Sequence, residues 1–346
     1  MTTILAQIAP QKSTQYAALA DALAPHELEL CPLGKQITNI SPLQLGGQKY
    51  LRFELPDVPT AQQAYELGLL AMTSAFFVYY DKLGRTAGPL LRPLETRVVP
   101  SLPPDIVMTR RYRGKTNELF THFMCNIARF SSALSHRSWD TLRVFDPLAG
   151  GGTTQLTAMI LGAEAAGVEH DVQDVKSTVA FLKQYFSEQN LSYQVREERV
   201  KKIGRRWTFA TNASRSQERA SVRCILACGD TSQSPSLISG FRPHLIVADL
   251  PYGIQHKGEL TTLLGQALPV WASLLPLSGT ITLAWESKRL PREEMIALVE
   301  SVSPLTVLNE PPYNMLAHRV DRVIKQRDVL VARLTQALQK ERSDAA

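Results

Sequence analysis

Four consecutive residues, Asp249-Leu250-Pro251-Tyr252, carry groups suited to holding a planar amino group. An exocyclic amino nitrogen of a nucleobase is a poor nucleophile because its lone pair is delocalised into the ring. Two fixed acceptors overcome this. The Asp249 carboxylate and the Leu250 carbonyl, stiffened by Pro251, could each take one amino hydrogen and aim the lone pair at a methyl donor. Tyr252 adds a ring for the base to stack on, a contact of roughly 1 to 3 kcal/mol in nucleic-acid sites. Proximity and alignment then supply most of the acceleration. Taken alone, the same residues also describe a strand ending in a Pro-Tyr turn.

A second constellation runs from Asp146 to Thr154, Asp-Pro-Leu-Ala-Gly-Gly-Gly-Thr-Thr, between an apolar strand (Leu142 to Phe145) and an apolar helical run (Leu156 to Leu161). Gly150 and Gly152 let the backbone approach a ligand and take positive φ, and the new helix points its unpaired N–H groups at that ligand. A Walker loop requires Gly-Lys-Ser/Thr, and no lysine follows Gly152. A dinucleotide fingerprint requires a third glycine where Gln155 stands, which weakens NAD or FAD without excluding either. A glycine turn that only joins strand to helix is the remaining reading. Glu169, ending the next strand, is placed to accept from both hydroxyls of an adenosine ribose, or is a solvated loop acid. Asp230, ending the strand after that, accepts from an adenine amino group or simply caps a Gly-Asp turn.

These residues need a scaffold that brings strand ends together, and the pattern from Met108 onward provides one. Strands expected at Leu142 to Phe145, up to Glu169, Cys224 to Cys228, Leu245 to Asp249, Thr280 to Trp285 and Asp328 to Leu334 alternate with helices. The helices expected are Asn117 to Leu134, Leu156 to Ala165, Val172 to Gln189 and Pro291 to Ser301. Such alternation predicts a doubly wound α/β sheet, with Asp146, Glu169, Asp230 and Asp249 all at carboxyl ends of strands, where open sheets bind ligands. The uncharged run from Leu260 to Trp285 is divided by Pro269, Pro276, Ser278 and Gly279 into helix, turn and strand, not a membrane span.

Residues 1–107 read as a smaller α+β accessory domain. It has strands at Thr3 to Ile8, Lys49 to Phe53 and Ala75 to Tyr80, helices at Thr14 to Leu23 and Ala61 to Leu70, and a turn at Asp81-Lys82-Leu83-Gly84. A connector with Pro89, Pro93, Pro100, Pro103 and Pro104 marks the boundary to a second domain over 108–346. The four cysteines are scattered and lack zinc spacing, so they are expected to be reduced, and Met1-Thr2-Thr3-Ile4-Leu5 lacks the features of a signal peptide. A cytoplasmic location is the simplest expectation. His170, His256 and His318 read as ordinary polar residues, without metal spacing.

The net charge of +6 favours a polyanionic partner. A stretch at about 195–223, read as an insertion before the third strand, accounts for as much charge by itself, with nine Lys or Arg against three Glu. Lys201, Lys202, Arg205 and Arg206 beside Trp207 (and Phe209) suit phosphates plus an unstacked base; a solvated hairpin is the alternative. Arg319, Arg322, Lys325 and Arg327 form a second basic group that suits a covered sheet edge.

In these motifs the sequence resembles the class I S-adenosylmethionine-dependent methyltransferases that modify exocyclic amino nitrogens. Asp146 to Thr154 matches the family's Asp-Pro-Phe-x-Gly-x-Gly-Thr-Thr with Leu148 in place of Phe, and Asp249, Pro251 and Tyr252 match Asp/Asn-Pro-Pro-Tyr/Phe with Leu250 as the departure. The resemblance spans about Met108 to Leu334. It implies a Rossmann-like methyltransferase sheet, S-adenosyl-L-methionine as cofactor, and cofactor contacts at Asp146, Leu148, Gly150, Gly152, Thr153, Glu169 and Asp230. A segment from Arg110 to Glu118 stands where the family caps the methionine end of the cofactor; there Thr116 and Asn117 are expected either to touch it or to cap a helix. A small domain before the catalytic one resembles the tRNA guanine-N2 methyltransferases and implies an RNA substrate, tRNA in particular. DNA adenine-N6 or cytosine-N4 methylation is the alternative, disfavoured because no segment after Tyr252 is long enough for a target-recognition domain. A catalytically silent nucleic-acid-binding protein of the same fold is the third reading.

Overall fold

The computed structural model describes residues 1–11, 16–212, 221–251, 257–320 and 326–335. Tyr252, His256, Arg322 and Lys325, and the expected helix start at Thr14, lie outside them. The described residues form two sheets.

The first sheet is antiparallel, ordered β2-β3-β1-β4-β5, from β1 (Thr2–Ile8), β2 (Thr38–Leu45), β3 (Gln48–Leu55), β4 (Thr73–Leu83) and β5 (Thr86–Pro93). β2 and β5 have no counterpart among the expected strands, and β5 takes in Pro89 and Pro93 of the expected connector. Gly46 and Gly47, at φ 54° and 76°, form the two-residue hairpin turn that returns β2 to β3. The turn expected at Asp81 to Gly84 begins later, because β4 continues through Leu83 and pairs it with Thr86.

Helix α1 (Leu19–Leu30) also differs from expectation, running well past Leu23 with Pro25 inside. The helix retains Pro25 because Leu19, Ala20, Leu23, Ala24, Glu27 and Leu28 make one buried stripe. Burying Leu19, Leu23 and Leu28 is worth about 1.5–3 kcal/mol each, which together outweighs a proline cost of about 3 kcal/mol. Helix α2 (Ala61–Gly68) starts at a Thr60–Gln63 capping box.

After α3 (Asp105–Thr109) and α4 (Glu118–Ser131) comes the large sheet. Its central parallel strands are β6 (Arg143–Asp146), β7 (Glu164–Glu169), β10 (Arg223–Gly229), β11 (Leu245–Asp249) and β12 (Thr280–Glu286). They alternate with α5 (Thr153–Leu161), α6 (Val172–Glu188), α7 (Ser234–Leu237), α8 (Lys257–Leu274) and α9 (Arg292–Val302). On one side β14 (Arg327–Leu334) pairs antiparallel with both β12 and β13 (Leu305–Leu308), and β13 is the edge strand. The other edge is the hairpin β8 (Tyr193–Val200) and β9 (Gly204–Thr211), antiparallel beside β10. The full order is β13-β14-β12-β11-β6-β7-β10-β9-β8. The expected doubly wound sheet is therefore present, and the basic insertion lengthens it by a hairpin.

Both faces of the central strands are covered. Val144, Ala165, Cys224 and Leu245 join a core with α4, α5 and α6, while Phe145, Ala166, Ile225 and Ile246 join one with α7, α8 and α9. The first core also includes Ile4, Phe53 and Leu67, so the small sheet and the large one share it. Chain order runs outward from β6 to β7 and β10, then returns across β6 to β11 and β12. This switch point opens a crevice at the carboxyl ends of β6 and β11.

Buried polar groups fix the small sheet's helices to α4. Glu27 accepts from the backbone N–H of Ala71 (2.9 Å) and Met72 (2.8 Å) and from Asn126 Nδ2 (2.9 Å). Arg129 donates two bonds to Glu66, at 2.8 and 2.9 Å. No helix among the described residues is long and apolar enough to cross a membrane.

Candidate active site

The crevice is built on the β6–α5 turn. Asp146 Oδ1 accepts from the Leu148 N–H (3.0 Å), and the Ala149 N–H donates to the Val168 carbonyl (2.9 Å), so the turn follows β7. Gly150 and Gly152 take φ of 50° and 90°, a region an L side chain strains to reach. Glu169 braces the turn directly: Oε2 accepts from the Gly150 N–H and Oε1 from the Asp171 N–H, each at 2.8 Å. Gln155 stands where a dinucleotide loop has its third glycine, and its Nε2 donates to the Ala166 carbonyl (3.2 Å). A Cβ at Gly167 would sit 2.1 Å from that Nε2, so any larger residue there displaces the Gln155 amide.

The segment before α4 lies on this loop. An added Cβ at Gly151 would fall 2.4 Å from the Tyr112 ring, and the Tyr112 hydroxyl meets Thr153 Oγ1 at 2.5 Å. Burial pushes the Tyr112 phenol up to about 12. Arg110 lies between the Tyr112 and Phe181 rings, 5.3 and 5.4 Å from their centroids. It donates to Ser177 Oγ (2.6 Å), Thr178 Oγ1 (3.1 Å) and the Gly151 carbonyl (3.4 Å). Sequence reasoning marked this segment but missed Arg110 and Tyr112. Their signal was an arginine and an aromatic placed ahead of a capped helix.

Asp249 ends β11, and the Leu250 N–H continues the pairing to the Ala284 carbonyl (2.8 Å). Thr116 Oγ1 donates to Asp249 Oδ2 at 2.6 Å, and Arg327 Nη2 lies 3.7 Å from the same oxygen. The Arg327 guanidinium is buried, 4.7 Å from the Phe120 ring centroid. Asn117 is the helix cap, its Oδ1 accepting from the Phe120 N–H (3.0 Å). The two readings of these neighbours therefore separate: Asn117 caps α4 and Thr116 turns to Asp249. Leu250 is buried and Pro251 exposed.

Three carboxylates surround the crevice. Burial, with Asp249 and Glu169 adding like charge, pushes Asp146 up to about 7, opposed by hydrogen bonds from Thr154 and Leu148. Among the described residues no cationic side chain forms an ion pair with Asp146. Asp230 lies one strand further out and is exposed. It caps a 3₁₀ turn through the Ser232 N–H (2.8 Å), and hydrogen bonds from the Ser232 side chain and then its N–H hold the carboxyl below the usual range.

The basic hairpin differs from expectation. Trp207 and Phe209 are buried in the core, because β9 directs alternate residues inward, so the Trp207 ring is a packing residue and not an exposed stacking platform. Arg206 pairs with Glu198 (2.8 Å) and Arg205 with Glu197 (3.3 Å). Lys201 and Lys202 lie in the exposed turn between β8 and β9. His318 is likewise buried, at 5.0 Å from the Phe120 ring centroid, and desolvation pushes it down to about 4.

Neither a protein-family model nor a curated protein matches the chain. Solved structures similar to it include TrmN from Thermus thermophilus, with 14% identity over 96% of this chain and 99% of that one at a TM-score of 0.44. The rRNA methyltransferase aviRa from Streptomyces viridochromogenes shows 14% identity over 68% of this chain and 92% of the other, at 0.42. The T. thermophilus 16S rRNA N2 G1207 methyltransferase RsmC, in complex with AdoMet and guanosine, shows 14% identity over 93% of this chain and 63% of the other, at 0.37. Scores and identities this low leave the question of activity to the chain's own residues.

Proposed function

We propose that this chain is a methyltransferase that uses S-adenosyl-L-methionine to methylate an exocyclic amino group of a nucleobase, with guanine N2 in tRNA as the target. The observation that carries the reading is the Asp249 carboxylate, fixed by Thr116 at the carboxyl end of β11, beside the glycine loop of β6.

The donor set fits the cofactor. Asp146 is a buried carboxylate with no ion-pair partner among the described residues, and the ammonium of a methionine moiety would supply one. Glu169 already accepts from two backbone N–H groups, and its remaining lone pairs suit ribose hydroxyls. Gly150 and Gly152 keep the loop bare of side chains, and Leu148 borders it. When bound, S-adenosyl-L-methionine supplies a methyl group on a positively charged sulfur.

The chain's residues do the rest by positioning. Asp249 and the Leu250 carbonyl each accept one amino hydrogen, which biases the nitrogen toward tetrahedral geometry. Pro251 limits the motion of that carbonyl, and Tyr252 supplies the stacking face. The proton displaced from nitrogen passes to Asp249 or to water. A base splayed out of its strand is the substrate form this geometry requires. Residues 1–107 act as the accessory unit that holds the RNA, fixed to the site through α4.

Transfer of labelled methyl to total tRNA, ribosomal RNA and DNA in parallel, followed by nucleoside analysis, tests the reading. N2-methylguanosine in tRNA is expected. Methyladenine or methylcytosine in DNA would overturn the substrate, and absence of label in all three would overturn the activity. Asp249→Ala is expected to abolish turnover while cofactor binding persists.

A further inference from the structure

The hairpin β8–β9 shows two unlike faces. On one, Arg196 and Arg206 share the single carboxylate of Glu198, at 2.9 and 2.8 Å, so each of the two arginines there has an ion-pair partner. On the other, Arg199 stands opposite Arg205 in register and faces α6. A cleft of about 550 Å³ opens between the two elements, lined by Val172, Lys176, Arg199, Lys202, Arg205 and Trp207. That volume lies in the range of small-ligand sites, ~300–1,000 Å³. Among the described residues Lys176, Arg199 and Lys202 have no carboxylate within ion-pair distance, whereas Arg205 has Glu197. Three cations without an ion-pair partner among the described residues, from two separate elements, thus converge on one cleft, with the carboxylates of Glu169 and Asp171 near its Cys228 wall. Lys202 is held there by a backbone at φ 61°, an unusual setting for a lysine.

The cleft adjoins the proposed active site. Cys228 is on its wall, pairs in register with Glu169, and lies 3.8 Å from the His170 carbonyl through Sγ. Glu169 in turn holds Gly150. A phosphate in the cleft would therefore sit beside the ribose end of the cofactor site, one strand from the glycine loop.

We propose that this cleft binds the sugar–phosphate backbone of the RNA substrate through Lys176, Arg199 and Lys202, with Trp207 as its buried floor. The inference rests on the reading of the chain as an RNA methyltransferase and adds the place where the strand leaves the active site. Uncompensated cations in a groove attract phosphates by releasing counterions, and each phosphate contact contributes about 0.7 to 0.9 to the slope of log affinity against log salt. The contacts carry no sequence information, so they hold the strand while Asp249 reads the base.

The test is binding of fluorescently labelled tRNA to the full chain across a salt series, with K176Q/R199Q/K202Q compared with R196Q on the opposite face. The triple variant is expected to lose about 2 from the salt slope and to raise KM for tRNA, with kcat at saturating tRNA and cofactor affinity unchanged. R196Q is expected to behave as wild type. A triple variant with wild-type affinity and slope overturns the proposal. Equal loss of duplex DNA and tRNA binding in that variant overturns its assignment to RNA. Wild-type protein that binds tRNA through these residues but transfers no methyl leaves the cleft in place and removes the proposed activity instead. Thermal unfolding of each variant separates loss of contacts from loss of fold.

Discussion

The Thr116 hydroxyl donates to Asp249 Oδ2 across 2.6 Å, tying the residue before the α4 cap to the last residue of β11. Arg327 reaches the same oxygen from β14, so two elements distant in sequence fix the plane of one carboxylate. A hydrogen bond to a charged group is worth about 1.5–3 kcal/mol, or roughly 10- to 100-fold in rate where the geometry matters only in the transition state. Thr116→Val is expected to lower kcat by that factor while cofactor affinity changes little, and Thr116→Ser to recover most of the loss. Parallel loss of cofactor affinity would instead place Thr116 against the cofactor.

Asp146 makes a pH prediction with a defined sign. Its folded-state value is raised from 3.8 to about 7, so the folded chain holds this proton more tightly than the unfolded one. Its contribution to stability is accordingly lost as pH rises from about 4 towards 7. Asp146→Asn is expected to stabilise the free protein at pH 8 relative to wild type, read from urea midpoints. A cofactor ammonium binds the ionised form, so affinity falls as pH drops below about 7, by up to about tenfold per unit. Equilibrium dialysis at several pH values checks this; a flat wild-type profile would remove the ammonium assignment.

The strand ends that build the crevice were legible because buried parallel strands read as apolar runs and the acids that end them stand out against those runs. Asp146, Glu169 and Asp249 were found in this way. Arg110 and Tyr112 were not, and Arg327, expected to cover a sheet edge, is instead buried, because each acts across a distance that only the fold closes: Tyr112 meets Thr153, and Arg327 meets Asp249. Thr116 and Asn117 could not be separated in sequence, since both are good caps and only the chain direction into α4 decides which is used. Trp207 misled for a related reason. Basic residues flank it in sequence, yet strand alternation turns its ring inward, and β13, at four residues, is too short to show a period.

Gly151 and Tyr112 form a steric pair. Gly151→Ala would place a methyl 2.4 Å from the ring, closer than packing allows, so the ring must leave its bond to Thr153. Cofactor affinity is expected to fall in G151A and to recover in part when Tyr112→Ala is added, which opens the space again. Residues in contact couple by about 0.5–3 kcal/mol, so the double-mutant cycle should be clearly non-additive. Additive effects would show that the ring does not rest on this loop.

The pair between Glu66 of α2 and Arg129 of α4 predicts how the small sheet supports the site. Arg129 has a side chain only 1% exposed, donates twice to Glu66, and also reaches the Arg137 carbonyl at 3.1 Å. Removing one partner leaves the other charge buried, at a cost of about 3–5 kcal/mol, whereas replacing both by apolar residues avoids that cost. Glu66→Leu or Arg129→Met alone is therefore expected to destabilise strongly in urea, and the double variant to approach wild-type stability. Because α4 carries its cap at Asn117, next to Thr116, the single variants should also lower kcat at temperatures where they remain folded. Wild-type kcat in folded E66L would show that the small sheet stabilises the chain without setting the geometry of Asp249.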